Sequence, residues 1–275
     1  MKKITKIDLD NTFLQEKDLE YYVENKNYII TEVSPTVARE IITTYHYSGK
    51  VVKNSKLHLG VFDKKTKKIV GALQFGYPMS ANKTPNLIVT GSSIYDMMEL
   101  NRMAMFDTAP KFSESQAISL SIKYLKRYKK EIKWILSYSD GKEGNVGIIY
   151  QATNWKYLGC LVSQTFHKLD GEIIHNISIY HRHKTRKIEY LNSVYDNVSK
   201  IISKQHIYVY PLQDDIKFNL DEKPYPRKET EPRILKEFIY KENGVILDSK
   251  RIIDYTKNIT DCSIDNAVIK NGGTE

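Results

Sequence analysis

The sequence predicts a mixed α/β fold in which antiparallel strands come first and a parallel pair follows. Two apolar runs, residues 57–62 and 68–75, flank a turn made only of Asp, Lys and Thr, which predicts a hairpin. Further along, the pattern strand, helix, strand, helix, strand implies two neighbouring parallel strands with helices packed on the sheet. With 275 residues and 41% hydrophobic content, the chain is long enough to bury a full core.

The first third of the chain begins with a polar lead-in over residues 1–30 that ends in a strand at 28–30. Ser34 as N-cap and Pro35 in the first turn then predict a helix that runs to about Tyr45. The hairpin follows this helix, and residues 97–105 form the next predicted strand.

A helix is predicted after the loop at 109–112, with Ser113 as its cap and Gln116 at the capping-box position. Its apolar stripe consists of Ile118, Ile122 and Leu125. Its distal half is basic, which suits either a solvated face near the helix C-terminus or contact with phosphates. The basic residues are Lys123, Lys126, Arg127, Lys129 and Lys130.

The next strand covers residues 132–139 and ends at Asp140 and Gly141. We expect a second helix from about Asn145, because Ile148, Ala152 and Trp155 recur at helical spacing. Residues 157–159 should end this helix, and a strand should resume over 160–166.

The sequence predicts a catalytic domain over residues 31–187 and a C-terminal extension over residues 188–275. Pro224, Pro226 and Pro232 exclude a continuous helix and predict an extended strap across the core. Residues 234–254 fit a small hairpin or a helix. We expect only the end of the extension, residues 271–275, to be disordered.

Charge and cysteine content narrow the class of protein. Forty-two Lys and Arg against thirty-three Asp and Glu give a net charge of +9, which suits a polyanionic partner but also follows from AT-rich codon usage. Cys160 and Cys262 form no CxxC pair, so neither a disulfide framework nor a zinc site is predicted. Without a signal-peptide core or a bilayer-length apolar run, we expect a cytoplasmic protein with no membrane partner.

Polar side chains interrupt the apolar strand pattern at two places, which indicates a site because buried polar groups are costly unless paired or used. Glu99, Asn101 and Arg102 lie in the strand 97–105, and Asp140 ends the next predicted strand. Ligands of parallel sheets bind at the carboxyl ends of the strands. Asp140 is the best candidate for a general base, and Arg102 for a fixed cation that holds a carboxylate, phosphate or carbonyl. Alternatively, Arg102 forms a buried structural ion pair with Glu99 or Asp140.

The order of elements resembles the GCN5-related N-acetyltransferase fold. In that fold the helix after the fourth strand opens with a glycine-rich loop that holds the pyrophosphate of coenzyme A. Here the corresponding loop, residues 109–116, contains no glycine, which weakens an ordinary acetyltransferase assignment.

A set of segments over residues 40–160 is more specifically similar to the Mom family of bacteriophage DNA-modification proteins, in the same order and with similar spacings. These segments are Tyr45–Ser48, Asn54–Val61, Gln74–Gly76, Glu99–Ala104, Ser113–Ser115, Ser137–Gly141 and Gly147–Ala152.

This resemblance implies conversion of adenine in DNA to its N6-carbamoylmethyl form, which protects phage DNA from host restriction enzymes. The positions that match the functional set of the family are Tyr47, Arg102, Ser115, Asp140 and Tyr150. Ser115 alternatively serves the first turn of its helix, and Tyr150 alternatively packs in the core. The rival functions are a coenzyme A dependent N-acetyltransferase of a small amine or protein, and a DNA-binding protein without catalysis.

The resemblance also implies a small-molecule donor, either acetyl-coenzyme A or a glycine-derived compound, with Ser113, Ser115 and Arg102 as the expected contacts. Acetyl transfer alone cannot supply the amide nitrogen of a carbamoylmethyl group. Iron is a further expectation, because His46 and His58 with Asp140 or Glu99 would form a two-histidine, one-carboxylate site. The alternative is that both histidines are ordinary hydrogen-bonded side chains.

An enzyme that acts on adenine in a duplex must extrude the base, and Tyr45, Tyr47, Phe75 and Tyr77 are the candidates to stack on it. Phosphate contacts should come from exposed basic residues and make binding sensitive to salt. The candidates are Lys50, Lys53 and Lys56, and, in the run 181–187, Arg182, Lys184, Arg186 and Lys187. The run 181–187 is alternatively a solvated connector.

Overall fold

The computed structural model describes residues 8–227 and 233–256, apart from the side chains of residues 163–165. It separates into two compact units that interleave along the chain. The first unit comprises Met1–Ser137, Ile148–Leu158 and Tyr208–Lys223, and the second comprises Tyr138–Gly147, Gly159–Ile207 and Pro224–Glu275. The predicted domain boundaries after residues 30 and 187 stay predictions.

The first unit contains a sheet whose strands follow the order β1-β2-β3-β4-β5-β6. Neighbouring strands are antiparallel from β1 to β5, whereas β5 and β6 are parallel, so the predicted fold class is confirmed. The strands are β1 (Tyr22–Glu24), β2 (Tyr28–Glu32), β3 (Ser55–Asp63), β4 (Ile69–Gly76), β5 (Met97–Met105) and β6 (Trp134–Asp140). The helices are α1 (Pro35–Tyr45), α2 (Thr84–Ile88), α3 (Ser113–Tyr128) and α4 (Ile148–Gln151).

Helices α1 and α3 lie on opposite faces of this sheet. On one face, Ile41 and Ile42 of α1 are buried against Phe62, Ala72 and Ala104. On the other face, the predicted stripe of α3 is buried in a cluster with apolar residues of β3, β4 and β5. The α1 cap is as predicted, because the Ser34 side chain accepts a hydrogen bond from the backbone N–H of Val37. The interior of the unit is therefore two apolar layers separated by the sheet.

The predicted cap of α3 is wrong. The N-cap is Phe112 in the left-handed conformation with φ of 68°, and Ser113 is the first helical residue. The Ser113 hydroxyl instead lies 2.7 Å from the hydroxyl of Tyr28 on β2. Gln116 accepts from the side-chain amide of Asn27 at 2.8 Å and so does not close a capping box. A tertiary contact has replaced the local one.

The predicted helix near Asn145 is also shorter than its spacing suggested. It is limited to the four residues of α4, because Gly147 before it and Asn154 after it take positive φ values of 74° and 60°. A strand then begins at Lys156, so residues 157–159 lie within that strand instead of ending a helix.

The described residues of the second unit contribute to five further strands and two helices. Strand β7 pairs with β8 and β9, and β9, β10 and β11 follow in antiparallel order. The elements are β7 (Lys156–Leu169), β8 (Glu172–His175), α5 (Asn176–His183), α6 (Ile188–Val194), β9 (Val198–Pro211), β10 (Lys236–Glu242) and β11 (Val245–Asp254). Strands β10 and β11 make the C-terminal segment a hairpin, one of the two predicted forms.

The predicted strap is consistent with the structure where it is described: Pro224 and Pro226 lie outside every helix and strand. Pro232 and residues 257–275 lie outside the described residues. Within the described ranges, no helix has the length and apolar character needed to span a membrane.

Candidate active site

A β-bulge in β5 brings two charged residues to one face of the sheet. Glu99 pairs with Gly76, Leu100 with Phe75, and Arg102 with Gln74, so Asn101 is the extra residue. Successive side chains of a strand point to opposite faces, and residues three apart would normally be separated by the sheet. Because the bulge adds one residue, Glu99 and Arg102 both lie on the face that α1 covers.

Close contact between strands holds this bulge. A Cβ atom at Gly76 would lie 2.3 Å from the carbonyl oxygen of Asn54 and 2.5 Å from Oδ1 of Asn101. The same Asn101 oxygen accepts a hydrogen bond from the hydroxyl of Ser55 at 3.1 Å. Glycine is therefore required at position 76 for the sheet to pack against the bulge.

Arg102 is held by backbone carbonyls. Its Nε donates to the carbonyl of Lys50 at 3.2 Å, and its Nη1 donates to the carbonyl of Asn101 at 2.6 Å. Among the described residues of the same unit, no carboxylate lies within ion-pair distance of the guanidinium, so the alternative of an ion pair with Glu99 is not supported. Since a guanidinium has five N–H donors, three remain for a ligand.

Glu99 is half-buried beside Arg102, and its acidity is altered accordingly. Removal from water raises the pKa of Glu99 to about 7, although the Asn101 side chain and the charge of Arg102 act in the opposite direction. At neutral pH this carboxyl group therefore exists in both protonation states, which suits a group that exchanges protons or binds a polar ligand.

Tyr150, on α4, lies in the same electrostatic neighbourhood. Its hydroxyl is 2.8 Å from Oγ of Ser137, which in turn lies 3.1 Å from the carbonyl oxygen of Leu100. Burial raises the pKa of Tyr150 to about 12, and the charges of Tyr47, Glu99 and Arg102 act on it as well. Tyr150 is thus a neutral phenol that can donate or relay a proton.

The segment after α1 supplies two more rings. The rings of His46 and Tyr47 stack with a centroid distance of 4.3 Å, and Tyr47 is 65% exposed. The Nδ1 atom of His46 lies 2.9 Å from the hydroxyl of Ser48. Burial and the charge of Arg102 lower the pKa of His46 to about 4, so its imidazole is neutral near pH 7.

The structure thus brings together Tyr47, Arg102 and Tyr150 of the predicted set, with Glu99 as an added member. We call Glu99, Arg102 and Tyr150 the polar cluster. The sequence marked Glu99 as part of a site through its charge in an apolar strand, with an ion pair or a metal site as its expected roles. It did not predict the bulge that places Glu99 on the same face as Arg102.

Asp140 lies in the second unit and has its own neighbours. Its Oδ1 accepts from the backbone N–H of Lys142 at 3.1 Å, and its Oδ2 is 3.6 Å from Nζ of Lys142. Burial raises the pKa of Asp140, against the opposing effect of Lys142. A carboxylate with a raised pKa is a better proton acceptor than an exposed one, which agrees with the role predicted for it.

The two predicted cofactor serines use their hydroxyls within the protein. Ser113 is fully buried, and its hydroxyl contacts Tyr28 and the carbonyl of Pro110. The hydroxyl of Ser115 donates to the carbonyl of Phe112 at 3.0 Å, and no described contact joins it to the polar cluster. Ser113 is therefore not accessible to a donor, and its assignment as a ligand is wrong. The predicted roles of Ser115 in catalysis and donor binding stay predictions.

The predicted iron ligands do not converge either. Nowhere in the described part of the chain do three or more His, Cys, Asp or Glu side chains form a group that could hold a metal ion. Nδ1 of His58 lies 3.2 Å from Nε2 of Gln74, and burial lowers the pKa of His58. His46 and His58 thus behave as hydrogen-bonded histidines, and the described residues do not fit a two-histidine iron site.

The predicted stacking residues differ in their accessibility. Phe75 is fully buried in the core, so its assignment as a stacking group is wrong. Tyr45 already stacks on Phe106, with a centroid distance of 4.4 Å. Tyr77 is half-buried and lies under Nζ of Lys56, which is 5.9 Å from its ring. Of the four, Tyr47 presents the most open ring.

The predicted phosphate contacts lie in two places. Lys50 and Lys53 are exposed between α1 and β3, and Lys56 is exposed near the start of β3. The Lys50 carbonyl accepts a hydrogen bond from Arg102, so this basic segment, residues 50–56, borders the polar cluster. In the second unit, Arg182 forms a paired contact with Glu172 at 3.3 and 3.4 Å, which partly neutralises its charge. Lys184, Arg186 and Lys187 are exposed between α5 and α6.

Comparison with known proteins gives one family and one curated relative. The model of the Mom protein family matches residues 27–227. The Methylcarbamoylase mom of Escherichia phage Mu is 40% identical over 156 residues, which are 56% of this chain and 63% of that relative. The chain thus aligns with less than two thirds of the relative's length.

Solved structures of low identity also match. The ribosomal-protein-S5-alanine acetyltransferase from Vibrio fischeri is 9% identical, with a TM-score of 0.41, and the match covers 71% of this chain and 98% of that one. A GNAT family acetyltransferase from Bacillus anthracis is 10% identical, with a TM-score of 0.39 and coverage of 70% and 98%.

Proposed function

The chain belongs to the Mom protein family, and we propose that it transfers a carbamoylmethyl group to N6 of adenine in DNA. The name of the 40% identical relative, a methylcarbamoylase, supports this activity. The observation that carries the proposal is that Tyr47 and Arg102, both predicted as functional and far from Tyr150 in sequence, lie close enough to influence the buried Tyr150 hydroxyl electrostatically.

The reaction we propose is a displacement at the methylene carbon of a donor that carries the carbamoylmethyl group on a leaving group. The N6 lone pair forms the new bond to carbon, the leaving group departs with the electron pair of its own bond, and N6 loses one proton. The N6 amino group is a weak nucleophile because its lone pair is delocalised, so the reaction needs a base and stabilisation of the developing charge.

The residues divide these tasks between them. Arg102 presents fixed N–H donors that stabilise negative charge developing on the donor. Tyr150, a neutral phenol bonded to Ser137, donates a proton or hydrogen bond to the leaving group. Asp140, with its raised pKa, is the proposed acceptor of the N6 proton.

The DNA substrate explains the exposed groups beside the cluster. A base inside a duplex has to be extruded before its amino group is reachable, and an extruded base is stabilised by stacking. Tyr47 is the proposed stacking ring, and Lys50, Lys53 and Lys56 are the proposed phosphate contacts. Methylcarbamoylated DNA would resist host restriction enzymes, and the proposed place of action is the host cytoplasm, where phage DNA replicates.

Nucleoside mass spectrometry tests the proposal. DNA from cells that express the full chain should contain a deoxyadenosine heavier by a carbamoylmethyl group, and DNA from cells that express Asp140→Asn should not. Unmodified DNA together with acetylated amines would favour an N-acetyltransferase instead. If the protein retains DNA but modifies nothing, it is a binding protein without catalysis.

A further inference from the structure

We propose that Glu99 and Arg102 together recognise the primary carboxamide of the group that the enzyme transfers. This inference rests on the proposed function and extends it, because it assigns the residues that select a carbamoylmethyl donor over a carboxymethyl or acetyl donor. It concerns ligand recognition and adds no covalent step.

The first argument is placement. The bulge at Asn101 puts Glu99 and Arg102 on one face of the sheet, separated by only the two intervening residues of the bulged strand. Their charges influence each other, yet within the described residues of their unit they form no direct ion pair. Two complementary groups that share a face without saturating one another can bind a ligand with both donor and acceptor atoms.

The second argument is the inventory of hydrogen-bonding atoms. A primary amide has a carbonyl oxygen that accepts and an NH₂ group that donates two hydrogen bonds. Arg102 uses two of its N–H groups on backbone carbonyls and keeps three, which suits the carbonyl oxygen. The carboxylate of Glu99 only accepts when ionised, which suits the NH₂ group.

A third group agrees with this assignment. Gln74 is the cross-strand partner of Arg102, it is fully buried, and its Nε2 contacts His58. Its Oε1 has no hydrogen-bond partner among the described residues. A buried acceptor without a partner is costly, and a ligand with a surplus of N–H donors on this face would reduce that cost.

The same inventory explains selectivity. A carboxymethyl donor would place a second carboxylate near Glu99, and like charges in a desolvated site repel. An acetyl donor has no N–H group, so it would give Glu99 no hydrogen bond beyond the one from the Asn101 side chain. Sites built to hydrogen-bond a substrate N–H discriminate strongly against analogues that lack it.

A different role for Glu99 would be to accept the N6 proton directly. The two roles predict different results for a small amide that lacks adenine. If Glu99 recognises the carboxamide, its substitution weakens binding of the amide itself. If Glu99 acts only on adenine, amide binding is unaffected and only turnover is lost.

The test uses saturation-transfer NMR with the full-length protein and two probes, acetamide and acetate, at pH 8. The wild type should bind acetamide and bind acetate much more weakly. Glu99→Gln should bind acetamide at least about tenfold more weakly, because a carboxylate that only accepts hydrogen bonds is replaced by an amide that also donates. A tenfold change corresponds to a loss of about 1.4 kcal/mol of binding free energy. Glu114→Gln, an exposed first-turn residue of α3, is the matched control and should bind acetamide like the wild type.

A thermal melt of each variant establishes that it is folded before binding is compared. Equal acetamide binding by wild type and Glu99→Gln, absence of acetamide binding by the wild type, or a preference for acetate would each overturn the inference. Because the probe binds without DNA, these results are independent of whether adenine becomes modified. A protein that binds acetamide through Glu99 but leaves DNA unmodified would therefore contradict the proposed function and not the recognition site.

Discussion

The hydroxyl of Tyr150 on α4 lies 2.8 Å from Oγ of Ser137 on β6, and this contact fixes the buried phenol of the polar cluster. The Ser137 hydroxyl also lies 3.1 Å from the carbonyl oxygen of Leu100, next to Glu99 in β5. The Ser137 hydroxyl has one proton, which it donates either to Tyr150 or to the Leu100 carbonyl. While Ser137 donates to Tyr150, the proton of the phenol is available to a ligand. The phenol is thereby oriented by two strands of the sheet.

Tyr150→Phe should lower adenine modification by about 100-fold or more, because it removes a positioned proton donor while keeping the ring in the core. The free energy of unfolding should fall by only about 1 kcal/mol, the usual net value of one hydrogen bond. Nucleoside mass spectrometry and urea unfolding measure the two effects. Tyr124→Phe is the control, since it removes a hydrogen bond to Glu32 from an equally buried phenol and should leave modification intact. Equal modification by Tyr150→Phe and wild type would remove Tyr150 from the mechanism.

Gly76→Ala should disrupt the bulge, because its Cβ would lie 2.3 Å from the backbone oxygen of Asn54 and 2.7 Å from Cα of Ser55. Overpacking of this kind costs about 1–3 kcal/mol of unfolding free energy, and a displaced Arg102 should lower modification as well. Gly171→Ala provides the comparison: at φ of 89° with no neighbouring atom within 4 Å, it adds backbone strain alone. It should lose about 1–2 kcal/mol of unfolding free energy and keep full activity. An active, stable Gly76→Ala protein would show that the close approach at the bulge is unimportant.

Glu99→Gln should change how stability depends on pH. The pKa of Glu99 is about 7 in the folded protein against an ordinary 4.5, so the folded state holds the extra proton between these values. Glu99 therefore lowers the unfolding free energy of the wild type relative to that of Glu99→Gln as pH rises from about 4.5 to 7, by about 1–3 kcal/mol. Urea unfolding at pH 5 and pH 8 should show that the unfolding free energy of the variant, relative to that of the wild type, is higher at pH 8 than at pH 5.

The low pKa of His46, about 4, has the opposite effect, because it raises the unfolding free energy as pH rises from about 4 to 6.5. This effect is common to both proteins, so it cancels from their difference. A difference in unfolding free energy that stays constant from pH 5 to pH 8 would mean that Glu99 is not perturbed in the folded state.

The basic segment, residues 50–56, should contribute to DNA binding through phosphate contacts. Replacing Lys50, Lys53 and Lys56 with Gln should weaken binding to all sequences and reduce the slope of log K against log salt by about one per lysine in contact with a phosphate. The control replaces Lys123 and Lys126 on α3 and Lys130 just after it with Gln, which changes the net charge equally. Fluorescence anisotropy over a salt series measures both. Equal slopes for the two triple variants would place the DNA elsewhere.

Much of the fold could be predicted because its signals are local. The turn at residues 63–67 and the alternating runs beside it indicated the β3–β4 hairpin, and Ser34 with Pro35 indicated the start of α1. The parallel pairing of β5 and β6 followed from the order of elements. Each of these features depends on residues close together in sequence.

What could not be predicted depends on distant partners. The sequence around Ser113 predicted a helix cap, but its hydroxyl instead contacts the hydroxyl of Tyr28, 85 residues away. The bulge at Asn101 is defined by its register with β4, so the sequence of β5 alone did not predict that Glu99 and Arg102 lie on one face of the sheet. Tyr47 and Tyr150 were found only because the family resemblance pointed to them, whereas Arg102 was also indicated by its charge within an apolar strand.

The most direct test of the central claim is the adenine content of DNA from cells that express Arg102→Lys, compared with wild type and with Arg251→Lys as control. Lysine keeps the charge but loses the planar set of donors, so we expect about 10- to 100-fold less carbamoylmethyladenine from Arg102→Lys. Arg251 is exposed on β11 and donates a hydrogen bond to Glu242 of β10. Its substitution should leave the modification at the wild-type level. Wild-type levels of carbamoylmethyladenine from Arg102→Lys would contradict an active site built on Arg102.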